Sequence, residues 1–466
     1  MAEEAAVLFR ADWLSASAGG RLAGNPGAAV SAVEVDSRAV RPGALFAALP
    51  GERADGHDFI APALSAGATV ILASEDGWKR RSASLDPELA RAGAAAVLVP
   101  DPLKALQEAA RAWRLRFPGL VRVGITGSSG KTTTKECLGR ILARKYRTAV
   151  NPGNLNSEIG LPQAMFLLRP EHEAGVFEMG INHAGEMDAL VRVWEPSHAL
   201  VTNIGTAHIG ILGSRRAIAE EKRKIFSRIP ASGTAFAWED DEFLPFLAEG
   251  LAVRLRTFGP RTLEGLEGFR DAGLDGWVLR YRGTEIAFPL PGTHNLLDAL
   301  AAVAMAGALG CGPREIREGL EGVEALFGRS EIFRGPVTVL RDCYNSNPDS
   351  AARALEFCDS LAWPGRRVYA LGSMLELGTE SEAAHRALGG RAGSSRADAL
   401  LFFGAETAES ARAAREAGFS GPMVQTEDFD ELARAAAELA REGDLWLLKA
   451  SRGMELERLT DILRRG

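Results

Sequence analysis

VRVGITGSSGKTTTKECLGRILARKY, residues 121–146, sets a strand, a tight turn and a helix in immediate succession. The β-branched residues of VRVGIT read as a strand. In TTTKECLGRILARKY, Cys137, Leu138, Ile141 and Leu142 recur at helical spacing on one face. The intervening TGSSGK is rich in small residues, which lets backbone N–H groups converge on phosphate oxygens at the start of a helix. Lys131 can then reach β- and γ-phosphates, and the hydroxyl of Thr132 can ligate magnesium. The full phosphate-loop template GxxxxGK[ST] would want glycine at 125, where the chain has Ile125, so the match is the shorter GxxGKT from Gly127 to Thr132. Gly127, Ser128, Ser129, Gly130, Lys131, Thr132 and Thr133 are therefore the candidate nucleotide-binding residues. A Ser/Gly turn with a solvent-facing lysine is the alternative, and nucleotide binding alone leaves kinase, ATPase, ligase and switch open.

Upstream, short strand-like runs (VSAVEVDS, ATVILAS, AAAVLVP) alternate with turn-rich connections such as RPGALFAALPGERADGHDF, until Pro118-Gly119 marks a boundary. Downstream, strands are expected at AGVFEMG, HALVTNIG and GTAFAW, and residues 254–290 alternate like antiparallel strands. HNLLDALAAVAMAGALG reads as a helix whose alanine content favours a buried one. Beyond Gly328, strand and helix signals alternate from VTVLRDC to MELERLTDILRR, the pattern of a doubly wound parallel sheet. The expectation is an α/β chain of three domains. Residues 1–118 form a small α/β domain, 119–327 a central mononucleotide-binding α/β domain with the phosphate loop, and 328–466 a C-terminal doubly wound, Rossmann-like α/β domain.

Bulk composition agrees with this and narrows the function classes. A chain of 466 residues is long enough for about three cores. The net charge of −7 (54 basic minus 61 acidic) argues against a nucleic-acid binder, which usually shows a basic face. It leaves room for phosphates held in a local basic pocket. The start, MAEEAAVLFRADW, lacks the basic and apolar regions of a signal peptide, and no apolar run approaches the roughly 20 residues of a membrane span. Cys137, Cys311, Cys343 and Cys358 are scattered without a CxxC pair, as expected of reduced core thiols in the cytoplasm.

Phosphates gathered at one site call for magnesium with oxygen ligands. Glu178 and His208 each follow an expected strand, where α/β sites gather. Singly, each also reads as a surface or capping residue, and Lys222 in AEEKRKIF as a solvated helix residue. Together with other segments they carry a resemblance. VDSRAVRPGALFAAL (35–49), DGHDF (55–59), TGSSGKTTTKE, NPGNLNSEIGLP (151–162), EMGINHAGEM (178–187), TNIGTAHI (202–209), PGTHNLLDALAA (291–302), DCYNSNPDS (342–350), GSMLELG (372–378) and KASRGMELE (449–457) resemble, in order, the Mur ligases. Within that family the YNxNPxS signature most resembles the member that adds a D-alanyl-D-alanine dipeptide.

The resemblance implies an ADP-forming, ATP-dependent ligase that joins D-alanyl-D-alanine to UDP-N-acetylmuramoyl-tripeptide through an acyl phosphate, in peptidoglycan synthesis. It implies magnesium held by Thr132, Glu178, His208 and a carbamoylated Lys222, with Lys131, Lys222 and His208 as the catalytic set. Arg223 and Lys224 stand where the family has Gly and Glu; the alternative is an unmodified Lys222 pairing Glu178 directly. His294 and Asn295 match the pair beside the adenine, Arg329 the arginine that approaches the phosphates, and Asp342 the ribose carboxylate. Tyr344, Asn345 and Asn347 belong to the signature, with Cys343 where the family more often has Asp. A capped turn, with Asp349 or Ser350 starting a helix after Pro348, is the plain structural reading of the same residues. Ser37 and Arg38 match the uridine segment and Asn154 and Asn156 the polar substrate loop, with Ser157 where a further Asn is common. Glu376 and Ser451 lie where the incoming dipeptide is expected. The implied partners are the two substrates alone, with no nucleic acid, no membrane insertion and a single chain as the working unit.

Overall fold

The computed structural model describes residues 6–51 and 54–465. The chain divides into two compact units, Met1–Gly124 with Arg147–Ile181 and Gly185–Pro196, and Ile125–Tyr146 with Asn182–Ala184 and Ser197–Gly466. The strand Val121–Thr126 passes from the first to the second between Gly124 and Ile125.

In the first unit a five-stranded sheet runs in the order Arg21–Gly24, Ala95–Val99, Val70–Ser74, Ala44–Ala47, Ala32–Glu34. Only Arg21–Gly24 is antiparallel to its neighbour. The helix Glu75–Ala92 closes one crossover: the Gly77 N–H donates to the hydroxyl of its cap Ser74, Glu75 and Asp76 face the positive end of the dipole, and Gly93 ends it at φ +61°. Leu85 and Leu89 of that helix then pack with Phe46, Ile71 and Leu98. Ala44–Ala47 corrects the expectation of a turn-rich connection here. All four of its residues are buried, so the polar alternation that marks a half-exposed strand is absent. Two parallel strands, Thr148–Val150 and Ala174–Glu178, complete the unit on the near side of Val121–Thr126.

In the second unit the strands His198–Val201, Thr234–Trp238 and Leu255–Phe258 pair in parallel in that order. The last is a second correction, since residues 254–290 read as antiparallel throughout. The helix Leu244–Ala248 intervenes between Thr234–Trp238 and Leu255–Phe258, and a strand returning through a crossover pairs in parallel. The antiparallel expectation holds for the three strands that follow, Leu266–Asp271, Trp277–Tyr281 and Thr284–Phe288. The helix Thr293–Ala308 is buried along Leu296, Ala299, Leu300 and Val303, as its alanine content suggested, and packs on the helix Lys131–Leu142.

The remainder of this unit is the expected doubly wound sheet. Its order is Glu331–Phe333, Thr338–Asp342, Leu445–Lys449, Arg367–Gly372, Ala399–Phe403, Met423–Thr426, with Glu331–Phe333 the antiparallel edge. Tyr369, Leu371, Leu400, Phe402 and Leu447 face one core, while Val368, Ala370, Leu401, Phe403 and Trp446 face the other. Strands buried on both faces carry no polar alternation, which is why ALLFF and LWLLK read as continuous apolar runs. Among the described residues no helix is long and apolar enough to cross a membrane.

Candidate active site

The phosphate loop is a backbone turn that only glycine can make at two points. Gly127 sits at φ +156°, and a Cβ there would lie 1.8 Å from Thr202 Oγ1. Gly130 sits at φ +79°, with Asp298 Oδ1 2.0 Å from where a Cβ would be. Neither position leaves room for a side chain. The turn is braced by the loop after His198–Val201. Ser128 N–H donates to the Asn203 carbonyl at 2.9 Å, and Ser129 N–H to Asn203 Oδ1 at 3.1 Å. Thr202 Oγ1 donates to the Ser129 carbonyl at 2.6 Å, and Gly205 N–H to Ser128 Oγ at 2.8 Å. Lys131 opens the helix Lys131–Leu142 and folds back so that Nζ donates to the Gly127 carbonyl at 2.9 Å. Thr132 and Thr133 are buried behind it. A helix N-terminus, a loop shaped by glycine and an ammonium group on the same turn are the features that suit an anion.

Beside this loop stands His208, at φ +64° on the cap of a short helical turn, with Lys222 close by. Burial, then the charges of Lys131, Lys222 and His183, push the His208 imidazole down to about 4. The ring is therefore neutral at physiological pH. Its Nδ1 is buried and has no hydrogen-bond partner among the described residues. Glu376 Oε2 lies 3.7 Å from it, too far for a hydrogen bond and facing an uncharged ring. Lys222 is 1% exposed, in the last turn of the helix Arg215–Arg223. Lys224, which replaces the family's Glu, donates to the buried Glu221 at 2.7 Å.

A second cluster forms where the C-terminal sheet begins. Asp342 and Lys449 are register partners at the ends of neighbouring parallel strands. Lys449 Nζ donates to Asp342 Oδ2 and to the Asn345 carbonyl, both at 2.8 Å. Burial alone would raise the Asp342 carboxyl, but Lys449 and His294 outweigh it and the net shift is downward. His294 Nε2 lies 3.2 Å from Ser330 Oγ, and burial, with Arg353 and Lys449 opposing Asp342, takes its ring down to about 4. Asn295 Nδ2 donates to the Pro291 carbonyl at 2.7 Å. The Arg329 guanidinium stacks over the Tyr344 ring at 4.1 Å from its centre, leaving its N–H edge available to an anion.

With this geometry in place, comparison with known proteins is informative. Residues 29–114 match the description "Mur ligase family, catalytic domain", 125–306 "Mur ligase middle domain", and 328–452 "Mur ligase, glutamate ligase domain". The UDP-N-acetylmuramoyl-tripeptide--D-alanyl-D-alanine ligase of Treponema pallidum is 42% identical over 93% of this chain and 94% of its own length. The chain belongs to the Mur ligase family. Its fold is also similar to a crystal structure of MurF from Acinetobacter baumannii, with a TM-score of 0.86, 30% identity, and coverage of 98% of this chain and 99% of that one. A MurF ligase from Thermotoga maritima in complex with ADP gives 0.76 at 28% identity, over 93% and 97% of the two chains.

The family's remaining positions divide into clear cases in this Mur ligase. Glu178 ends its strand buried, accepting from Asn156 Nδ2 at 2.7 Å, while its N–H donates to Asn151 Oδ1 at 2.8 Å. Asn154 is exposed on the same loop. Arg38 is exposed and pairs with Asp36 at 2.6 Å, with Ser37 between them in a single 3-10 turn. Asn347 is the cap of the helix Pro348–Ser360, in a capping box with Ser350. The helix therefore begins at Pro348 itself, ahead of the Asp349 or Ser350 start that the sequence reading gave it. Ser451 is buried, its Oγ accepting from Leu375 N–H at 2.9 Å, so it ties the GSMLELG loop to the sheet.

Two groups escaped sequence reasoning. Asp298 lies beneath Gly130, and burial holds its carboxyl well above the usual carboxylate range against the pull of Arg353, Thr134, Arg329 and Lys131. A lone acid in an alanine-rich buried helix was the signal available. Lys449 was noticed only as part of a matching segment, because a lysine at a strand end looks like an exposed terminus until its partner strand is known.

The donor set also bears on magnesium. Among the described residues no group of three or more His, Cys, Asp or Glu side chains is arranged to hold a metal. A neutral imidazole with an orphaned Nδ1, a threonine hydroxyl on the phosphate loop and a lysine able to carry a carbamate do fit one, because two of these donors are of other types.

Proposed function

We infer that this Mur ligase forms an amide between the terminal carboxylate of UDP-N-acetylmuramoyl-tripeptide and the amine of D-alanyl-D-alanine, converting ATP to ADP and phosphate, as a step of peptidoglycan synthesis. The observation that carries the reading is the near-full-length identity of 42% to a ligase of that name, combined with a formed phosphate loop around Lys131. The ADP complex of the Thermotoga relative supports the nucleotide. Its three domains are 1–118 for the UDP handle, 119–327 for ATP and 328–466 for the acceptor; each matched family segment falls inside one of them, which supports the division. All four cysteines are buried free thiols, which suits a reducing cytoplasm.

A carboxylate does not acylate an amine unaided, because its oxygen is a poor leaving group. The tripeptide carboxylate attacks the γ-phosphorus of ATP and ADP departs, leaving an acyl phosphate. Lys131 and the N–H groups at the start of its helix stabilise charge on the phosphoryl oxygens. The dipeptide amine then adds to the acyl carbon, loses a proton, and phosphate leaves. Arg329 grips phosphate oxygens, Asp342 takes the ribose hydroxyls, and His294 and Asn295 flank the adenine. Catalysis rests on positioning and charge rather than on a protein nucleophile. Thr132, His208 and a carbamoylated Lys222 would hold magnesium, which neutralises phosphate charge when bound, and the resemblance adds Glu178 to the set.

Carbamoylation of Lys222 requires the neutral amine to add to carbon dioxide, with release of a proton. Activity is expected to fall in buffer stripped of carbon dioxide and to return with added bicarbonate. An activity indifferent to bicarbonate removes the carbamate from the mechanism. The function itself is tested by ADP release with UDP-muramoyl-tripeptide fixed and the acceptor varied. D-alanyl-D-alanine should drive turnover, and hydroxylamine added mid-reaction should trap the activated acid. If neither a hydroxamate nor an amide accumulates, the chain is not a ligase of this kind.

A further inference from the structure

The loop that carries His208 is held from two directions within the second unit. On one side Thr202, Asn203 and Gly205 bond the phosphate loop at Ser128 and Ser129. On the other, Thr206 donates both its N–H and its hydroxyl to a single oxygen, Asp349 Oδ2, each at 2.9 Å. The approach is close: a Cβ on Gly205 would lie 2.6 Å from that same oxygen. Asp349 stands in the first turn of the helix Pro348–Ser360, in the stretch that follows the nucleotide-site residue Asp342. An acid in a first turn is favourable to the helix dipole wherever it points. The cap of this helix is already supplied by Asn347 and Ser350. Neither job requires the carboxylate to reach Thr206.

We propose that Asp349 is a positioning residue of the ligase, fixing the loop Thr202–His208 so that His208 and the phosphate loop keep one mutual geometry. This rests on the function inferred above. The backbone segment Asn203–Thr206 is hydrogen-bonded at one end to Ser128 and Ser129 and at the other to Asp349, and His208 lies two residues beyond Thr206. The helix that bears Asp349 directly follows Tyr344, Asn345 and Asn347 of the YNxNPxS signature, so that segment and the phosphate loop share this one oxygen as a joint.

Because both bonds land on one oxygen, a carboxamide oxygen in its place can accept both. Asp349→Asn should therefore retain kcat, whereas Asp349→Ala should lower it by about ten- to a hundredfold through misplacement of the loop. KM for UDP-tripeptide should be unchanged in both. Amide hydrogen exchange at Gly205 and Thr206 in the substrate-free protein should speed up in Asp349→Ala and stay protected in Asp349→Asn. Thr206→Val, which removes one bond and leaves the backbone intact, should fall between them and serves as the test if Asp349→Ala does not fold. Wild-type kcat and exchange in Asp349→Ala would overturn the proposal. So would an Asp349→Asn as impaired as the alanine variant, since charge and not hydrogen bonding would then be what matters. If the wild-type protein makes no amide at all, the functional reading fails, while the exchange measurement still decides whether Asp349 holds the loop.

Discussion

Lys131→Ala is expected to lower ATP-dependent phosphate release by about 10²- to 10³-fold, the usual cost of removing one preorganised charge from a developing oxyanion, and to leave binding of UDP-tripeptide nearly intact. The ammonium is held in place before any nucleotide arrives, by its bond to the Gly127 carbonyl at 2.9 Å. Little reorganisation is then needed when phosphate oxygens replace that carbonyl. A guanidinium should substitute poorly, because its planar fork cannot reproduce the compact point charge of the ammonium. The same change has a second consequence. Lys131 is one of the charges that keep the His208 ring neutral, so its loss should move that ring upward from about 4 toward the ordinary imidazole range, with burial still holding it below. Kinetics of ADP release and a proton titration of His208 check the two effects separately. Turnover that survives Lys131→Ala would mean that the loop does not hold the reacting phosphate.

The phosphate loop was legible because its requirement is local. Positive φ at Gly127 and Gly130 demands glycine within four residues, and no distant partner is needed to see it. The doubly wound sheet was legible for a related reason, since strand and helix periods alternate along the chain without reference to pairing. What escaped depended on partners far away in sequence. Ala44–Ala47 is a strand only because it is covered on both faces, and Leu255–Phe258 is parallel only because of the crossover before it. Ser451 read as a substrate contact beside Glu376, and what the sequence did not show is that its Oγ accepts from Leu375 N–H. Asp298 was invisible as a chemical group, because an acid at i+3 from Asn295 on a helix announces nothing until Gly130 is found against it. His208 was found by resemblance, but its neutral ring and orphaned Nδ1 are properties of the fold.

Lys449→Met should be strongly destabilising, at about 2–4 kcal/mol, because it leaves the largely enclosed Asp342 (side chain 17% exposed) with its main counter-charge gone. Lys449 is 3% exposed and bonded to both Asp342 Oδ2 and the Asn345 carbonyl. A loss of that size corresponds to a fall in Tm on the order of 10 °C. The pH dependence should reverse sign as well. In the wild-type protein Asp342 has its folded-state pKa lowered, so its contribution to stability is complete above the unfolded value of about 3.9 and is lost as pH falls through the folded one. Without Lys449 the burial that opposes this shift becomes dominant, the folded pKa rises above the unfolded one, and acidification relieves the penalty. Melting curves from neutral pH downward should then converge, the wild type losing stability while the variant regains some. Adding Asp342→Asn to Lys449→Met should recover part of the loss, since removing both charges leaves a neutral pair where a lone carboxylate stood. A Lys449→Met protein that melts with the wild type at every pH would show that the Lys449 ammonium is not what holds the Asp342 carboxylate charged at the end of its strand.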